Sequence, residues 1–546
     1  MIKSIREFLR KINKPAFWLA VMILLQSLVC VGAGASKAYI HMDEAYSLAL
    51  AQYDKIDITD NADFYNTWHT SEYFQDYLAV QEKDHDDWRA VYENQKNDVH
   101  PPLYYVLLRG VMEVDMVLFS GGKFSKWAGM ILNIVIMAGC TVVMYFVVRE
   151  LLGEKKEGKR QVLVFGLILM AGLTVAGIST AVYIRMYGLL TLMVLLTLWV
   201  NLKMWRMIRK RKQLAWGWCV ALGVLTVLGT LTQYYYLFFL VGTAIVMTVK
   251  LVRERDWGNL GRYLGSLVVA GILVLIIWPH ALQHMFFGYR GQGVLKNLLN
   301  LGILARQLWD YLLVVDYNVF HHLLIALVML MAGLLVYRRI KGMRRVKLKG
   351  EFWMIFWPTV SYFGLAALVS PFIELRYIMP ICGLIFVLVG YVIYELLSGV
   401  VVEKWREGII LAGMAVVIVV APIQIGFGWM RIELLYRDRQ MVMTAVTEKS
   451  DALILYFITT ENNRFLDNIL PFAVAKDSYL ALDLLVPTKG EVEEILHGKD
   501  LRRGLFVFVS SSQDQELALG VVKEVTGLKE ATLVQGINTC DVYYLH

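Results

Sequence analysis

The sequence predicts a polytopic α-helical membrane protein that ends in a small α/β domain. Of its 546 residues, 58% are hydrophobic and 18% are charged, and the mean hydropathy is +0.53. This balance is too apolar for an ordinary water-soluble protein. Apolar runs long enough to cross a bilayer recur to about residue 426, and shorter strand-like and helix-like segments follow.

From the apolar runs we expect about 11 to 13 transmembrane helices. The first run follows a long basic head and has no convincing small-residue cleavage site. It is therefore predicted to be a retained span or signal anchor, with a cleaved signal peptide as the alternative. The runs lie near residues 16–36, 126–148, 161–179, 187–205, 214–231, 234–251, 263–280, 321–337, 352–370, 377–398 and 408–426.

Basic residues between the runs predict the orientation. The clusters at 203–212 and 338–349 contain no acidic residue, which is typical of cytoplasmic loops. Because the net charge of +8 is spread over such loops, no nucleic-acid partner is expected. With a cytoplasmic N-terminus, the inner connections are 149–160, 203–213, 250–262, 338–351 and 403–407.

The first outer loop, 37–125, is predicted to contain juxtamembrane helices. Within it, residues 37–100 have fourteen acidic and five basic side chains. Residues 101–119 are apolar, but counting them as a span would place every later basic cluster outside. We therefore expect a helix along the outer interface, with a hairpin that dips into the bilayer as the alternative. Residues 281–320 are expected to form a second outer loop.

The sequence predicts two domains, a transmembrane domain over 1–429 and a soluble α/β domain over 430–546 on the outer face. Strands are expected at 451–459, 479–486 and 504–512, with helices between them. The chain has no GxGxxG or P-loop motif and no CxxC spacing among its five cysteines. Nucleotide binding, a disulfide framework and a thiolate metal site are thus unsupported.

Polar motifs recur where the chain is predicted to emerge on the outer side, which suggests a shared cavity. Arginine is not expected there, so Arg185 and Arg376 favour a functional role over snorkelling anchors. His280 and His284 have the spacing of helical metal ligands but no HExxH glutamate and no marked third ligand. The motifs are Asp43 with Glu44, 97–105, 183–187, 232–236, 280–284 and 371–377.

Four of these segments resemble one family. They are "MDEAYSLAL" from residue 42, "DVHPPLYYVLLRG" from 98, "IRMYGLLTL" from 184 and "ELRYIMP" from 374. Their order resembles the GT-C glycosyltransferases of the protein O-mannosyltransferase and aminoarabinose transferase kind, a bacterial family 39-like group, over roughly residues 15–400. The chain departs from these relatives at Gln233, where they often have histidine between threonine and tyrosine.

The resemblance implies a membrane glycosyltransferase that moves a hexosyl or pentosyl group. The donor would be a polyprenyl-phosphate-linked sugar, and the acceptor a hydroxyl of a protein, lipid or glycan on the extracytoplasmic face of the cell membrane. Asp43 is the expected base, and Glu44 is expected to position the acceptor or orient a partner. Asp98 and His100 are expected to complete an acidic wall of the active site.

The departing phosphate requires positive charge and hydrogen-bond donors. Arg185 and Arg376 are the expected phosphate ligands, because guanidinium pairs with phosphate oxygens through two hydrogen bonds. Tyr187 and Tyr377 are expected to add hydroxyl donors. No cofactor is certain, and a divalent cation held by the carboxylate pair is a candidate.

Two other functions stay open from the sequence. A polytopic protein with an acidic outer vestibule could instead be a flippase for lipid-linked glycans or a transporter, although charges inside the predicted spans are scarce. It could also be a non-catalytic subunit of a surface-glycan assembly that binds its partners through residues 430–546.

Overall fold

The computed structural model describes residues 15–52, 58–61, 63–84, 88–153, 161–287, 301–426, 432, 435–460, 464–484, 486–537 and 540–546. The basic head, most of the connection predicted at 149–160, part of the loop predicted at 281–320 and the predicted domain boundary at 429/430 lie outside these residues.

The described α-helices of eight or more residues are α1 (Pro15–Ala35), α2 (Met42–Leu50), α3 (Ser71–Leu78), α4 (Arg89–Asn97), α5 (Leu103–Asp115), α6 (Lys126–Leu152), α7 (Gln161–Gly172), α8 (Val175–Val182), α9 (Tyr187–Arg209), α10 (Trp216–Thr232), α11 (Tyr236–Arg253), α12 (Trp257–Ile277), α13 (Leu301–Phe320), α14 (Leu324–Ile340), α15 (Gly350–Val369), α16 (Met379–Leu397), α17 (Glu403–Gly426), α18 (Gln440–Glu448), α19 (Lys489–Leu496) and α20 (Gln515–Thr526). A single helical turn also lies at Ile469–Phe472. The strands are β1 (Trp68–Thr70), β2 (Leu453–Ile458), β3 (Asp477–Leu482), β4 (Leu505–Ser510), β5 (Ala531–Ile537) and β6 (Cys540–Leu545).

The chain divides into two compact units. The membrane unit consists of the described parts of 1–33, 98–104 and 131–432, and the sheet unit of those of 34–97, 105–130 and 433–546. The sheet unit therefore combines the C-terminal region with a long part of the first predicted outer loop.

The protein is a mostly helical multi-pass membrane protein. Over the described residues, eight helices are long and apolar enough to cross a bilayer, and two bent helix pairs raise the number to as many as ten. Helix α10 is apolar but has only 17 residues. Each of the eleven predicted runs coincides with one of these helices or pairs. The count of eleven to thirteen spans itself stays a prediction.

The two bent pairs differ from simple spans. Helices α7 and α8 meet at 57°, and α13 and α14 meet at 88°. Helix α13 falls inside residues 281–320, so the expectation of a loop over that whole range was wrong. The stretch "LLVVDYNVF" contains Asp316 and Asn318 among apolar residues, so it did not read as a continuous apolar run. In the structure it is the end of a helix that packs on α15.

Basic residues gather at one end of the membrane unit. Glu150 at the end of α6 bonds Lys203 at 2.6 Å and Arg206 at 2.8 Å, both near the end of α9. Glu351 at the start of α15 lies 2.6 Å from Arg209. Three of the connections that the sequence predicts to be cytoplasmic thus meet at this end, which we call the basic end.

The sheet unit is built on a six-stranded mixed sheet in the order β1-β3-β2-β4-β6-β5. Strands β2 and β4 are parallel neighbours and are buried along their whole length, as expected for strands covered on both faces. Side chains of α19 and α20 pack with both strands in one apolar core. The three predicted strands are present as β2, β3 and β4, whereas β1, β5 and β6 were not predicted.

Close packing of α11 on α15 generates the first testable prediction. A Cβ added at Gly242 would lie 2.7 Å from Pro358 Cα and 2.8 Å from Ser361 Cβ, so the helices would have to separate. We expect Gly242→Ala to lose about 1–3 kcal/mol of stability through overpacking. The control is Gly265→Ala in α12, where a Cβ meets nothing within 4 Å. Equal melting temperatures of the two purified variants in detergent would contradict this prediction.

Candidate functional site

Several turns predicted to lie outside meet at the end of the membrane unit away from the basic end. Helix α9 shows the separation, because it begins at Tyr187 in this region and ends at Arg209 in the basic end. Its 23 residues span about 33 Å, close to the thickness of the hydrocarbon core. Contacts described below join the turns at 98–100, 183–187, 233–235, 278–284 and 370–377.

Asp98, His100 and Arg185 form a hydrogen-bonded chain in the membrane unit. His100 Nδ1 lies 2.6 Å from Asp98 Oδ2, and His100 Nε2 lies 3.4 Å from Arg185 Nη2. A guanidinium only donates, so Nε2 accepts and the ring proton sits on Nδ1, where it is donated to Asp98. The carboxylate therefore sets the ring's tautomer, and the ring sets the direction of the arginine.

Asp98 is held in its charged form. Burial opposes ionisation, but the His100 ring, the Val99 backbone N–H and the Arg185 charge outweigh it and hold the pKa of the Asp98 carboxyl well below its usual range. Such a carboxylate is a poor proton donor or acceptor near neutral pH. Its contribution is to orient and to stabilise positive charge.

The turn between α8 and α9 buries Arg185. The backbone N–H of Arg185 donates to the Tyr183 carbonyl at 2.7 Å. The side-chain amide of Asn133, on α6, donates to the same carbonyl. Only 4% of Arg185 is exposed. A charged group is rarely buried to this extent without partners, so the turn is specifically built to hold it.

Arg376 approaches the same turn from the loop between α15 and α16. Its Nε lies 2.7 Å from Glu374 Oε2, and its Nη1 donates to the Tyr183 hydroxyl at 3.5 Å. The guanidinium also lies 5.2 Å from the centre of the Tyr377 ring. Tyr183 and Tyr187 stack with ring centroids 6.0 Å apart. Arg376 and Tyr187 thus contact the Tyr183 side chain, in the turn that also carries Arg185.

Tyrosine hydroxyls fix the loop that carries Arg376. Tyr362 on α15 donates to the Tyr377 carbonyl at 3.1 Å, and Tyr311 on α13 bonds Ser370 Oγ at 2.6 Å. Tyr311 also donates to the Phe372 carbonyl at 3.0 Å. The Tyr377 backbone and ring therefore belong to the framework of the loop.

An aromatic cluster lies beside Asp98. Trp278 Nε1 donates to the Tyr234 hydroxyl at 3.2 Å, and this hydroxyl lies 3.1 Å from His284 Nδ1. Burial raises the pKa of Tyr234, and the nearby Asp98 charge raises it further. The rings of His280 and His284 stack at 6.1 Å. No group of three or more His, Cys, Asp or Glu side chains in the described part of the chain is arranged to hold a metal ion.

Asp43 and Glu44 belong to the sheet unit, at the start of α2. His41 is the N-cap residue, and its Nδ1 accepts from the Asp43 N–H at 3.0 Å. Glu44 reaches back and accepts from the His41 N–H at 2.8 Å, which completes a capping box. The two adjacent carboxylates therefore point in different directions.

Glu44 is buried in an ion pair. The Lys37 ammonium lies 2.6 and 2.8 Å from its two oxygens, and both side chains are fully buried. Burial lowers the pKa of Lys37, while the Glu44 charge opposes that shift. Glu44 thus orders the segment that precedes Asp43.

Asp43 keeps contact with solvent. Its side chain is 20% exposed, and Oδ2 lies 3.7 Å from His41 Nδ1. The Tyr436 ring packs 6.1 Å from the His41 ring. Burial raises the pKa of Tyr436, and the charges of Glu44 and Asp43 contribute to that rise. Asp43 is therefore the accessible member of the acidic pair.

Sequence reasoning missed three partners of the predicted residues: Lys37, Tyr183 and Glu374. Lys37 is the first residue of the acidic segment, and its seven-residue spacing from Glu44 has no periodic signature. Tyr183 and Glu374 lie inside quoted motifs, two residues from the two arginines, so proximity to an outer arginine was a usable signal. The roles assigned to Asp43, Glu44 and the other site residues stay predictions.

The chain is similar to two crystal structures of ArnT from Cupriavidus metallidurans. The structure bound to undecaprenyl phosphate has a TM-score of 0.45, and the apo structure 0.47. Each is 13% identical, and each alignment covers 96% of this chain and 98% of the other. No protein-family model and no curated protein sequence matches the chain.

The buried ion pair generates the second prediction. Lys37→Met leaves the Glu44 carboxylate buried without its ammonium and is expected to cost about 3–5 kcal/mol of stability. The double variant Lys37→Met with Glu44→Leu removes both charges and should recover much of that loss. Thermal unfolding of the purified proteins measures both effects. If the double variant is no more stable than the single one, the loss does not come from leaving the Glu44 charge without its partner.

Proposed function

We propose that the protein is a glycosyltransferase that moves a sugar from a polyprenyl-phosphate-linked donor to an acceptor hydroxyl at the extracytoplasmic face. The observation that carries the proposal is that the Arg376 guanidinium reaches the Tyr183 hydroxyl, in the same turn that buries Arg185, at the end of the membrane unit away from the basic end. Two arginines held in this way suit a ligand with negative charge at the membrane surface.

The arginines have the chemistry that a phosphate leaving group requires. Guanidinium groups stay protonated and offer several N–H donors in one plane, so they stabilise the charge that develops on the departing phosphate oxygens. Arg185 is directed by the Asp98 and His100 chain and needs little reorganisation. Arg376 now bonds Glu374, whose side chain is 45% exposed and can give way to a ligand.

An apolar groove supports a lipid-linked donor. It has a volume of about 300 Å³ and is lined by side chains of α13 to α16, among them Leu312, Val315, Phe320, Phe352, Phe356 and Phe363. Phe363 touches the ring of Tyr311, which bonds the loop of Arg376. An isoprenoid chain placed in this groove would keep its phosphate near the arginines.

In the proposed reaction, the acceptor oxygen attacks the anomeric carbon and forms the new glycosidic bond. The bond from that carbon to the donor phosphate breaks, and its electron pair leaves with the polyprenyl phosphate. Asp43 takes the proton of the acceptor hydroxyl. Attack opposite to the leaving group inverts the anomeric configuration.

The proposal assigns the base to Asp43 and not to Glu44. Glu44 is committed to Lys37 and to the His41 N–H, whereas Asp43 is partly exposed. Glu44 then acts by holding the segment that carries Asp43.

Purified full-length protein with a radiolabelled polyprenyl-phosphate sugar tests the function. Cleavage of the sugar from its carrier, or transfer to an acceptor, supports a glycosyltransferase. Movement of the intact donor between leaflets without cleavage would instead support a flippase. Neither activity in a correctly folded preparation would support a non-catalytic subunit.

The base assignment generates the third prediction. Asp43→Asn keeps the size of the side chain but cannot take the proton, so turnover should fall by about 10²–10⁴-fold while the melting temperature changes little. The control is Glu93→Gln, another acid of the same acidic segment, whose side chain is 43% exposed. Turnover of Asp43→Asn near that of the control would exclude Asp43 as the base.

The phosphate assignment generates the fourth prediction. Arg376→Ala removes charge-assisted hydrogen bonds and should lower kcat/KM for the lipid donor by about 10- to 100-fold. Arg306→Ala is the matched control, because that arginine belongs to the same unit and its side chain is 86% exposed. If both variants use the donor equally well, Arg376 is a snorkelling anchor and the phosphate site must be sought elsewhere.

A further inference from the structure

A second groove lies on the membrane unit, between α11 and α15. The two helices are in direct contact where Gly242 faces Pro358. From this contact a groove opens between them toward the basic end. Its walls are apolar and include Ile245, Val249 and Trp357, which are 57%, 43% and 51% exposed. In a bilayer, exposed apolar side chains of this kind face lipid.

The length of the groove matches one leaflet. Its lining residues on α11 run from Gly242 to Arg253, a distance of about 16 Å at the rise of an α-helix. Half of a hydrocarbon core about 30 Å thick is about 15 Å. The groove has a volume of about 720 Å³, and its exposed apolar walls favour filling by lipid in a membrane.

The end of the groove at the basic end is charged. Lys250, Arg253 and Glu254 line it, two positive side chains against one negative. Lys250 Nζ donates to Glu254 Oε1 at 2.5 Å and lies 4.6 Å from the centre of the Trp205 ring. Trp353 adds an indole at the same end, where tryptophan commonly meets the headgroup layer.

We propose that this groove binds an anionic glycerophospholipid of the leaflet that contacts the basic end. One acyl chain would occupy the space between α11 and α15, and the headgroup phosphate would pair with Lys250 and Arg253. The net positive charge selects an anionic headgroup, and the apolar walls select a lipid over a soluble phosphate. No residue assigned to the reaction lines this groove, which adjoins the proposed donor groove at Val360.

Native mass spectrometry of the delipidated full-length protein tests the proposal. The probes are phosphatidylglycerol and phosphatidylcholine with identical acyl chains, added in graded amounts. Each basic residue near an anionic group contributes about fivefold in affinity, so wild type should prefer phosphatidylglycerol by about 5- to 25-fold. Lys250→Gln with Arg253→Gln should abolish the preference and leave phosphatidylcholine binding unchanged.

Two further variants separate the groove from a general charge effect. Arg345→Ala with Lys347→Ala removes two exposed basic residues of the loop before α15, which do not line the groove, and should keep the preference. Val249→Trp fills the groove and should weaken both lipids about equally. Melting temperatures confirm that each variant is folded.

Three results would overturn the proposal. The first is equal binding of the two lipids to wild type. The second is a loss of preference in the control pair as large as in the groove pair, which would assign the effect to the general positive field. The third is competition by glycerol 3-phosphate as strong as by phosphatidylglycerol, which would identify a headgroup site without a chain. If Val249→Trp does not fold, the proposal is still tested by comparing the double variant at Lys250 and Arg253 with the control double variant at Arg345 and Lys347.

Discussion

Placing a charge or an unpaired backbone polar group in hydrocarbon costs several kcal/mol, and the membrane unit keeps its charged contacts out of that region. The ion pairs and charged hydrogen bonds described above lie at helix ends, in two groups about a bilayer thickness apart. At the basic end, Glu150 and Glu351 join the ends of neighbouring helices. At the other end, Asp98 reaches Arg185 through His100, and Arg376 reaches Tyr183. A charged ligand can therefore be held only where the helices stop.

The interior of the membrane unit uses a different kind of polar contact. Thr141 on α6 donates to the amide oxygen of Gln26 on α1 at 2.6 Å, and the Tyr236 hydroxyl lies 2.7 Å from Thr197 Oγ1. These groups are uncharged and satisfy one another between helices, as is usual in membrane bundles. Transport of a charged solute requires ionisable groups near the midplane, whereas contacts of this kind serve to fix the helices that position the turns. This difference favours a reaction at the surface over passage through the bundle.

Hydropathy and charge, which are local properties of the sequence, were enough to predict the membrane helices and the arginines of the candidate site. Hydropathy located the helices of the membrane unit, because a spanning segment must be apolar whatever its neighbours are. The arginines of the site were found since they break the expected charge asymmetry. Strand β1 was missed because it has three residues and pairs with β3 about 400 positions later. The partner of Glu44 was missed for a different reason: a seven-residue spacing across a non-helical segment has no periodic signature.

Adjacent carboxylates illustrate why sequence alone cannot assign roles to a pair. At a helix N-terminus, neighbouring side chains diverge by about 100° around the axis, so only one of them can face the core. The capping box selects that one, because the third helical residue must bend back to the N-cap N–H. In α2 this residue is Glu44, and the bend delivers its carboxylate to Lys37. Asp43 is thereby left at the surface, and its availability follows from the geometry of the helix start.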